Sequence, residues 1–281
     1  MSASSVHVAA WRRDVRLVAR TAVYELRKQL AFRAGFLVRE VFRNIGRPLV
    51  MIAVFWSIFR QDGVERIGTY RFEELARYMI LVAVLQRLMF NERSLDLADQ
   101  IFNGTLTKYL IMPVRVGRLF AARFVEHVAL QSTIAAGLFV VGALVAPKIW
   151  PFPERPIAAA QAVVLVLGAS YAYYQSIYLL QLFAFWLDVV WTLMVMARFV
   201  VVFVAGVLVP VTLMPAAAAD FFRCLYPYWL VTGPIEIWIG KQSSHDFWIG
   251  LCIVAAWILG LHLAIAHVWS RGMRRYSGSG M

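Results

Sequence analysis

The chain has 281 residues, of which 61% are hydrophobic and only 16% are charged, and its mean hydropathy is +0.68. Soluble domains contain about 45–50% apolar and about 25% charged residues. The composition therefore excludes a disordered chain and nearly all ordinary soluble enzymes. The 28 Lys and Arg residues exceed the 16 Asp and Glu residues, which gives a net charge of +12. In so apolar a chain, this excess indicates cations kept on one side of a membrane rather than a nucleic-acid partner.

The N-terminal segment predicts a cationic amphipathic helix. Apolar residues between Val15 and Leu30 recur at three- and four-residue spacing, and the arginines fall largely at other positions. A helix of this kind lies in the headgroup plane of a membrane. We expect residues 1–35 to form an interfacial elbow helix that leads into the first membrane span. A generic membrane anchor is the simpler alternative.

Six apolar stretches predict an all-α polytopic membrane protein. A span needs about 20 mostly apolar residues, and four of the stretches meet this easily. The first two carry charges near their ends, where long Arg side chains can reach the headgroups. Five spans are the alternative count. The predicted spans, within one transmembrane domain of residues 36–281, are residues 36–60, 73–91, 122–146, 157–185, 189–209 and 247–269.

The distribution of Lys and Arg predicts the side of the membrane that each loop faces. Eighteen of these 28 residues lie in residues 1–47, 91–123 and 270–281, seven lie in residues 60–73, 147–156 and 210–246, and the other three are Arg77, Arg87 and Arg198. Cytoplasmic loops carry the excess of Lys and Arg. Both termini are therefore expected in the cytosol, as an even number of spans also requires.

The inner loop at residues 92–113 is too long for a tight turn and too short for a domain. We expect a short acidic helix, a break at Gly104 and a second short helix that Pro113 stops. The second helix would place Leu106, Tyr109 and Leu110 on one face. A short helix with an apolar face and acidic neighbours suits docking to a partner protein. A solvated loop is the equal alternative.

The outer region at residues 210–246 has four prolines but is rich in Ala, Phe, Tyr and Trp. An exposed loop of this length should be more polar. A pair of short helices that re-enter the outer leaflet fits better. Helix breaks at membrane depth need cover from protein or a facing cavity, so this region is expected to pack over a central opening or a subunit interface.

Arg198 is an ionisable residue whose charge lies too deep in a predicted span to be explained by snorkelling. It lies about ten residues into the fifth span, and Arg in hydrocarbon is costly. We expect it to face an acidic partner, a backbone carbonyl or a wet cavity. By contrast, Arg87, Glu126 and His127 lie near the inner interface, where snorkelling suffices.

Tyr171, Tyr174 and Tyr178 share one face of the long fourth span. They could line a path for an amphipathic substrate, or they could pack between helices or subunits, because buried Tyr hydroxyls need a partner. Both roles stay open at this stage. Glu236 in the outer region is a further candidate for the path or for an interface.

The sequence lacks the common motifs of catalysis and metal binding. It has no CxxC pair, no zinc spacing, no HExxH and no GxSxG. Gly240 and Lys241 are followed by Gln242, so the pair fails the phosphate-loop pattern. We therefore predict no catalytic residue, no metal site and no cofactor in this chain. Cys224 and Cys252 are predicted to be unpaired buried thiols, although one bridge stays open.

The order and spacing of several segments resemble the permease subunits of ABC-type exporters, specifically the six-span ABC-2 class in a broadly bacterial subfamily. The inner loop carries a glycine–leucine–lysine–tyrosine–leucine–proline stretch of the family kind, and the other segments follow it through most of the chain. The tail at residues 277–281 departs from the pattern. The segments are residues 104–113, 184–191, 206–215, 225–227, 233–236 and 271–276.

The resemblance implies the cellular context and the partners. Two permease subunits, identical or homologous, would work with two ABC ATPase subunits in the bacterial cytoplasmic membrane, surrounded by lipid. ATP and Mg would be held by the ATPase subunits, and residues 215–243 would be the re-entrant outer helices. Residues 92–113 would form the coupling helix, whose implied contributors are Glu92, Asp96, Asp99, Gly104, Leu106, Lys108, Tyr109, Leu110 and Pro113.

Two other functions compete with this one. A stand-alone secondary transporter or channel should show an internal repeat, broken midplane helices or a midplane carboxylate, and no convincing repeat is found. A membrane enzyme that acts on lipids would need a catalytic constellation, and Asp188 or Glu236 alone does not make one.

Overall fold

The computed structural model describes residues 46–61, 65–89, 96–112, 116–145, 147 and 150–277. Within these ranges the regular structure is helical, with one isolated antiparallel bridge between Ile67 and Tyr70. The elbow helix predicted over residues 1–35 lies outside the described residues, as do Glu92 and Pro113.

Six described helices overlap the six predicted spans, and residues 36–45 of the first predicted span lie outside the described residues. The six helices are α1 (Arg47–Gln61), α2 (Phe72–Met89), α5 (Val116–Val145), α6 (Pro156–Leu182), α7 (Trp191–Val204) and α10 (Ser244–Met273). Three of them are long and apolar enough to cross a membrane: α5, α10, and α6 with its continuation to Phe185. A 30-residue helix is about 45 Å long, against about 30 Å of hydrocarbon. These three helices can therefore project beyond the membrane core.

Four shorter α-helices lie in the two loops of interest. α3 (Asp96–Phe102) and α4 (Thr107–Leu110) lie in the inner loop, and α8 (Ala216–Arg223) and α9 (Thr232–Trp238) lie in the outer region. Single 3₁₀ turns occur at Phe183–Phe185, Val211–Leu213 and Tyr228–Leu230. The outer region is thus a pair of short helices with a 3₁₀ turn between them.

Local sequence explains where several helices begin and end. Ser243 and Asp246 form a capping box at the start of α10, with each side chain bonded to the other residue's backbone. Pro156 occupies the first turn of α6, where its missing N–H costs nothing. α7 is shorter than the predicted span because Gly206 takes a φ of +73° directly after it.

The core is centred on α6, along which α10 packs more extensively than any other helix. Small residues permit this approach, since a Cβ at Gly168 would lie 3.2 Å from Val254 of α10. Ala169 and Ala172 are fully buried on α6. In the apolar 18-residue stretch of each helix, only 11% of α5 and 17% of α10 is buried within the chain, against 44% of α6. Much of their surface is therefore left for lipid or for another subunit.

Candidate functional site

The inner loop folds into a compact two-helix segment (residues 96–112), which we call the coupling segment after the role that the family resemblance implies for it. α3 ends at Phe102, and Gly104 follows with a φ of +69°. Glycine adopts this left-handed conformation at little cost, whereas most other residues do not. The chain turns there and continues into α4, so the two helices lie on either side of the expected break.

One face of the coupling segment is buried against the inner end of α6. Leu97, Ile101 and Leu106 are almost completely buried. The Leu97 amide donates a hydrogen bond of 3.0 Å to Oε1 of Gln181 near the end of α6. This side-chain acceptor takes the place of the missing intrahelical partner at the start of α3.

Tyr276, just beyond the end of α10, clamps the turn of the coupling segment. Its hydroxyl donates to the Gly104 carbonyl oxygen at 2.6 Å and accepts from the Thr107 amide at 3.1 Å. Its ring lies 6.2 Å from the ring of Phe185, edge to face. Tyr276 belongs to the segment that carried the family resemblance, but no local signal predicts that it would meet a loop 172 positions earlier.

The exposed face of the coupling segment differs from the expected one. Leu106 is buried, and Tyr109 is half-buried with its ring 6.5 Å from that of Phe120. The expected face formed by Leu106, Tyr109 and Leu110 is therefore wrong, because α4 is a single turn and Leu106 precedes it. The residues that are exposed on this segment are Asp99, Asn103, Thr105, Thr107, Lys108, Leu110, Ile111 and Met112.

The three tyrosines of α6 form an aromatic ladder with α5. Tyr171 and Tyr174 stack at 6.1 Å between ring centroids, and Tyr178 follows at 6.1 Å. From α5, Phe124 stacks on Tyr174 at 4.8 Å, and Phe120 meets Tyr178 edge to face at 5.9 Å. These contacts are typical of helix packing, which favours the second of the two roles considered for the tyrosines.

Arg198 lies on an exposed face of α7. Arg198 and its neighbours Met196, Phe199 and Val200 are all exposed, the last three at 62%, 72% and 60%, so the outward surface of α7 carries both apolar and cationic groups. The charge of Arg198 acts on the buried hydroxyl of Tyr173 on α6. A guanidinium on this face is costly against lipid tails, and the face is therefore suited to protein or water.

Glu236 on α9 is the centre of a buried polar cluster. Its carboxylate accepts hydrogen bonds from the hydroxyls of Tyr70 at 2.8 Å and Tyr228 at 3.1 Å. It also accepts one from Nε2 of the Gln242 side chain at 2.5 Å. Its residual exposure is 2%. The positive charge of Arg223 acts on the same carboxylate. Three donors and a nearby cation are what a buried carboxylate needs.

The phenols of this cluster remain protonated donors. Burial, followed by the charge of Glu236, raises the pKa of Tyr70 far above its ordinary value. Burial and the same carboxylate also raise the pKa of Tyr228. Because the charged phenolate is disfavoured twice, each hydroxyl keeps the proton that it shares with Glu236.

The cluster joins the first outer loop to the outer region. Lys241 Nζ lies 2.8 Å from Oε2 of Glu74, donates to the Thr69 carbonyl at 2.6 Å and sits 4.2 Å from the centroid of the Tyr70 ring. Thr212 also donates to the Tyr70 hydroxyl at 3.1 Å. The segment around Tyr70 is thus fixed to the outer region by side chains from three places in the sequence.

A second buried cluster of hydrogen bonds lies at the end of α7. The Tyr78 hydroxyl donates to the Gly206 carbonyl at 2.9 Å, and its oxygen lies 2.8 Å from Oγ1 of Thr232. Thr232 donates in turn to the Ala205 carbonyl at 2.8 Å. The carbonyls that the end of α7 leaves unpaired are satisfied in this way by α2 and α9.

Sequence reasoning missed the role of Arg87. It is buried, with 6% exposure, and donates through Nε and Nη2 to Oε1 of Gln131 on α5 at 3.1 and 2.9 Å. Glu126 is also buried, at 8% exposure. The expectation that both residues simply snorkel at the interface is wrong. A Gln 44 positions away gives no local signal of the pairing.

The cysteines and the acidic residues make no metal or redox site within the described part of the chain. Cys224 and Cys252 are free, as expected, but both are exposed rather than buried. No group of three or more His, Cys, Asp and Glu side chains in the described ranges is placed to hold a metal ion.

The family model for ABC-2 family transporter proteins matches residues 47–280. The chain belongs to the ABC-2 transporter family. An ABC-2 permease is a membrane-embedded transport component of an ABC transporter, is not itself catalytic, and works with an ABC ATPase subunit. Searches of curated proteins and of solved structures found no match to this ABC-2 chain.

Proposed function

We propose that the chain is the permease subunit of an ATP-driven exporter in the bacterial cytoplasmic membrane, with six spans and both termini in the cytosol. Two permease chains form the translocation path and two ABC ATPase subunits, which hold ATP and Mg, dock against the coupling segments. ATP binding closes the ATPase pair, and the docked segments pass that motion to the spans.

The main support for this proposal is that one face of the coupling segment is anchored to the long helices while the other face is exposed. Its inner face is fixed to Gln181 at the end of α6 and to Tyr276 beyond α10. Its outer face presents a carboxylate at Asp99, an ammonium at Lys108 and apolar surface at Ile111, which is 80% exposed. A surface mixing apolar and charged groups suits a docking partner. Its rigid attachment to two of the long helices supports the transfer of motion into the membrane.

Arg198 supports the pairing of two permease chains. An exposed guanidinium on a helix whose other exposed residues are mostly apolar makes contact with lipid tails unfavourable. A second permease chain or a wet path at the interface between chains would accommodate both Arg198 and the exposed Phe199. The outer polar cluster around Glu236 would then brace the outer end of the path.

Copurification followed by charge reversal tests the coupling assignment. The tagged chain is purified from its native membranes, and an ABC ATPase subunit is expected with it in about equal amount. Lys108→Glu should remove most of the bound ATPase and of the coupled ATP hydrolysis, because juxtaposed like charges or lost complementarity weaken docking. Arg66→Glu, an equal charge change at an exposed outer-loop position, is the matched control.

Two results would contradict the proposal. Transport and coupled hydrolysis that survive Lys108→Glu and a second reversal at Asp99 would rule out the coupling segment as the docking surface. Substrate movement by the purified chain alone in proteoliposomes, without ATPase or ATP, would favour the stand-alone transporter or channel.

A further inference from the structure

A groove of about 760 Å³ opens at the inner ends of the long helices. It lies between α4, the start of α5, the end of α6 and the end of α10, and its walls include Met112, Val116, Tyr178 and Trp269. The volume is within the range of about 300–1,000 Å³ for small-molecule sites. The groove adjoins the exposed coupling surface, with which it shares Leu110 and Met112, and it lies apart from the outer cluster around Glu236.

The groove combines apolar walls with positive charge. Arg118 and His262 are the basic residues of its lining, and none of its described lining residues is acidic. Lys108 adds a further charge beside the lining, because its Nζ lies 4.8 Å from the centroid of the Tyr109 ring. Basic pockets between membrane helices on the cytoplasmic side bind anionic lipid headgroups.

Gly117 keeps the groove open beside Arg118. A Cβ at this position would have one neighbour within 4 Å, the Tyr178 hydroxyl at 3.9 Å. A larger side chain there would extend into the groove without displacing the backbone. The ring of Tyr178 is held by Phe120 at 5.9 Å, so the wall opposite Gly117 is fixed.

We propose that this groove binds one anionic phospholipid of the inner leaflet, with an acyl chain along the apolar walls and the phosphate at Arg118. The occupant is chosen by charge complementarity, because the cytoplasmic leaflet is negative and the mouth of the groove is positive. The inference rests on the proposed topology, which puts the ends of α6 and α10 at the cytosolic side. The site would tie a structural lipid to the helices that hold the coupling segment.

Native mass spectrometry of the detergent-purified chain tests the site with phosphatidylglycerol and phosphatidylcholine of identical acyl chains. One phosphatidylglycerol per chain should be retained, at least about fivefold more tightly than phosphatidylcholine. Arg118→Gln should remove this preference, and Gly117→Leu should remove the retained lipid. The matched controls are Arg274→Gln, which is exposed at the end of α10, and Gly137→Leu, whose added Cβ meets nothing within 4 Å.

Equal retention of the two lipids by the unaltered chain would overturn the proposal, and so would a Gly117→Leu chain that keeps its phosphatidylglycerol. If Gly117→Leu fails to fold, photocrosslinking of a diazirine phosphatidylglycerol to the unaltered chain decides. Labels on residues 109–118 and 262–269 support the site, and labels spread evenly over α5 and α10 overturn it. These measurements need neither ATPase nor ATP. The lipid site can therefore be overturned while the exporter assignment stands, and the exporter assignment can be overturned while the lipid site stands.

Discussion

The Tyr276 hydroxyl donates a 2.6 Å hydrogen bond to the carbonyl oxygen of Gly104 and thereby joins the end of the last long helix to the turn of the coupling segment. Gly104 is held at a φ of +69°, and its carbonyl oxygen also accepts a hydrogen bond of 3.3 Å from the Thr107 hydroxyl. The segment that would meet an ATPase is therefore positioned by a residue that lies outside it.

Tyr276→Phe should loosen this turn without unfolding the chain. It removes a bond to Gly104 and the acceptor of the Thr107 amide, each contributing about 0.5–1.5 kcal/mol. Hydrogen exchange of the amides at residues 104–107 should accelerate by about tenfold. The amides of α8 provide the internal control and should exchange at the original rate. Unchanged exchange at residues 104–107 would show that the clamp contributes nothing.

The pair Tyr70 and Glu236 should couple strongly in a double-mutant cycle. Tyr70→Phe removes one donor from the buried carboxylate, and Glu236→Gln removes its charge. We expect a coupling energy of about 1.5–3 kcal/mol, as for hydrogen bonds to charged groups. Unfolding of the two single variants and the double variant in one detergent measures it. Additive effects would show that the hydroxyl and the carboxylate act independently.

Gly206→Ala should be strongly destabilising. A side chain at a φ of +73° costs about 1–2 kcal/mol, and the new Cβ would overlap Oγ1 of Thr232 and lie 3.0 Å from the Tyr78 hydroxyl. Gly260→Ala on α10 is the matched control, since a Cβ there meets nothing within 4 Å. This control should be neutral or stabilising by about 0.5–1 kcal/mol. Equal melting temperatures for the two variants would contradict the claim that the backbone conformation and close contacts at Gly206 exclude a side chain.

A cysteine at Phe199 should form disulfide-linked dimers if α7 faces a second permease chain. The exposed native thiols at Cys224 and Cys252 are first replaced by Ser. Oxidation in membranes should then yield a dimer band for Phe199→Cys and for Met196→Cys. Leu263→Cys on α10, at a similarly exposed position, should stay monomeric. Dimers from Leu263→Cys alone would move the interface to α10.

The long helices could be predicted closely because their signal is local. The span expected at residues 247–269 lies within Ser244–Met273, and that expected at residues 157–185 matches α6 with its 3₁₀ continuation. Charge-free runs of this length leave few alternatives. α5, the helix of the third predicted span, begins at Val116, earlier than expected. Its first turns carry Arg118 and Arg123, whose long side chains can reach the headgroups from a helix end.

The candidate site was less predictable because it is made of distant pairs. Glu236 was singled out as a path or interface residue, but its donor Tyr70 lies 166 positions earlier and has no motif that marks it. The direction of Leu106 depends on a single-turn helix, for which periodicity carries almost no information. The clamp by Tyr276 likewise depends on how α10 packs along α6, which no local pattern contains.

The pairing of α6 with α10 has a consequence for synthesis of the protein. The groups that α10 covers, such as the backbone at Gly168, are made long before Val254 exists. During translation α6 therefore enters the membrane with its closest neighbour still missing, and α7 and both outer helices must follow before that neighbour arrives. A chain that stops before α10 would leave this face of α6 without the cover that α10 gives it.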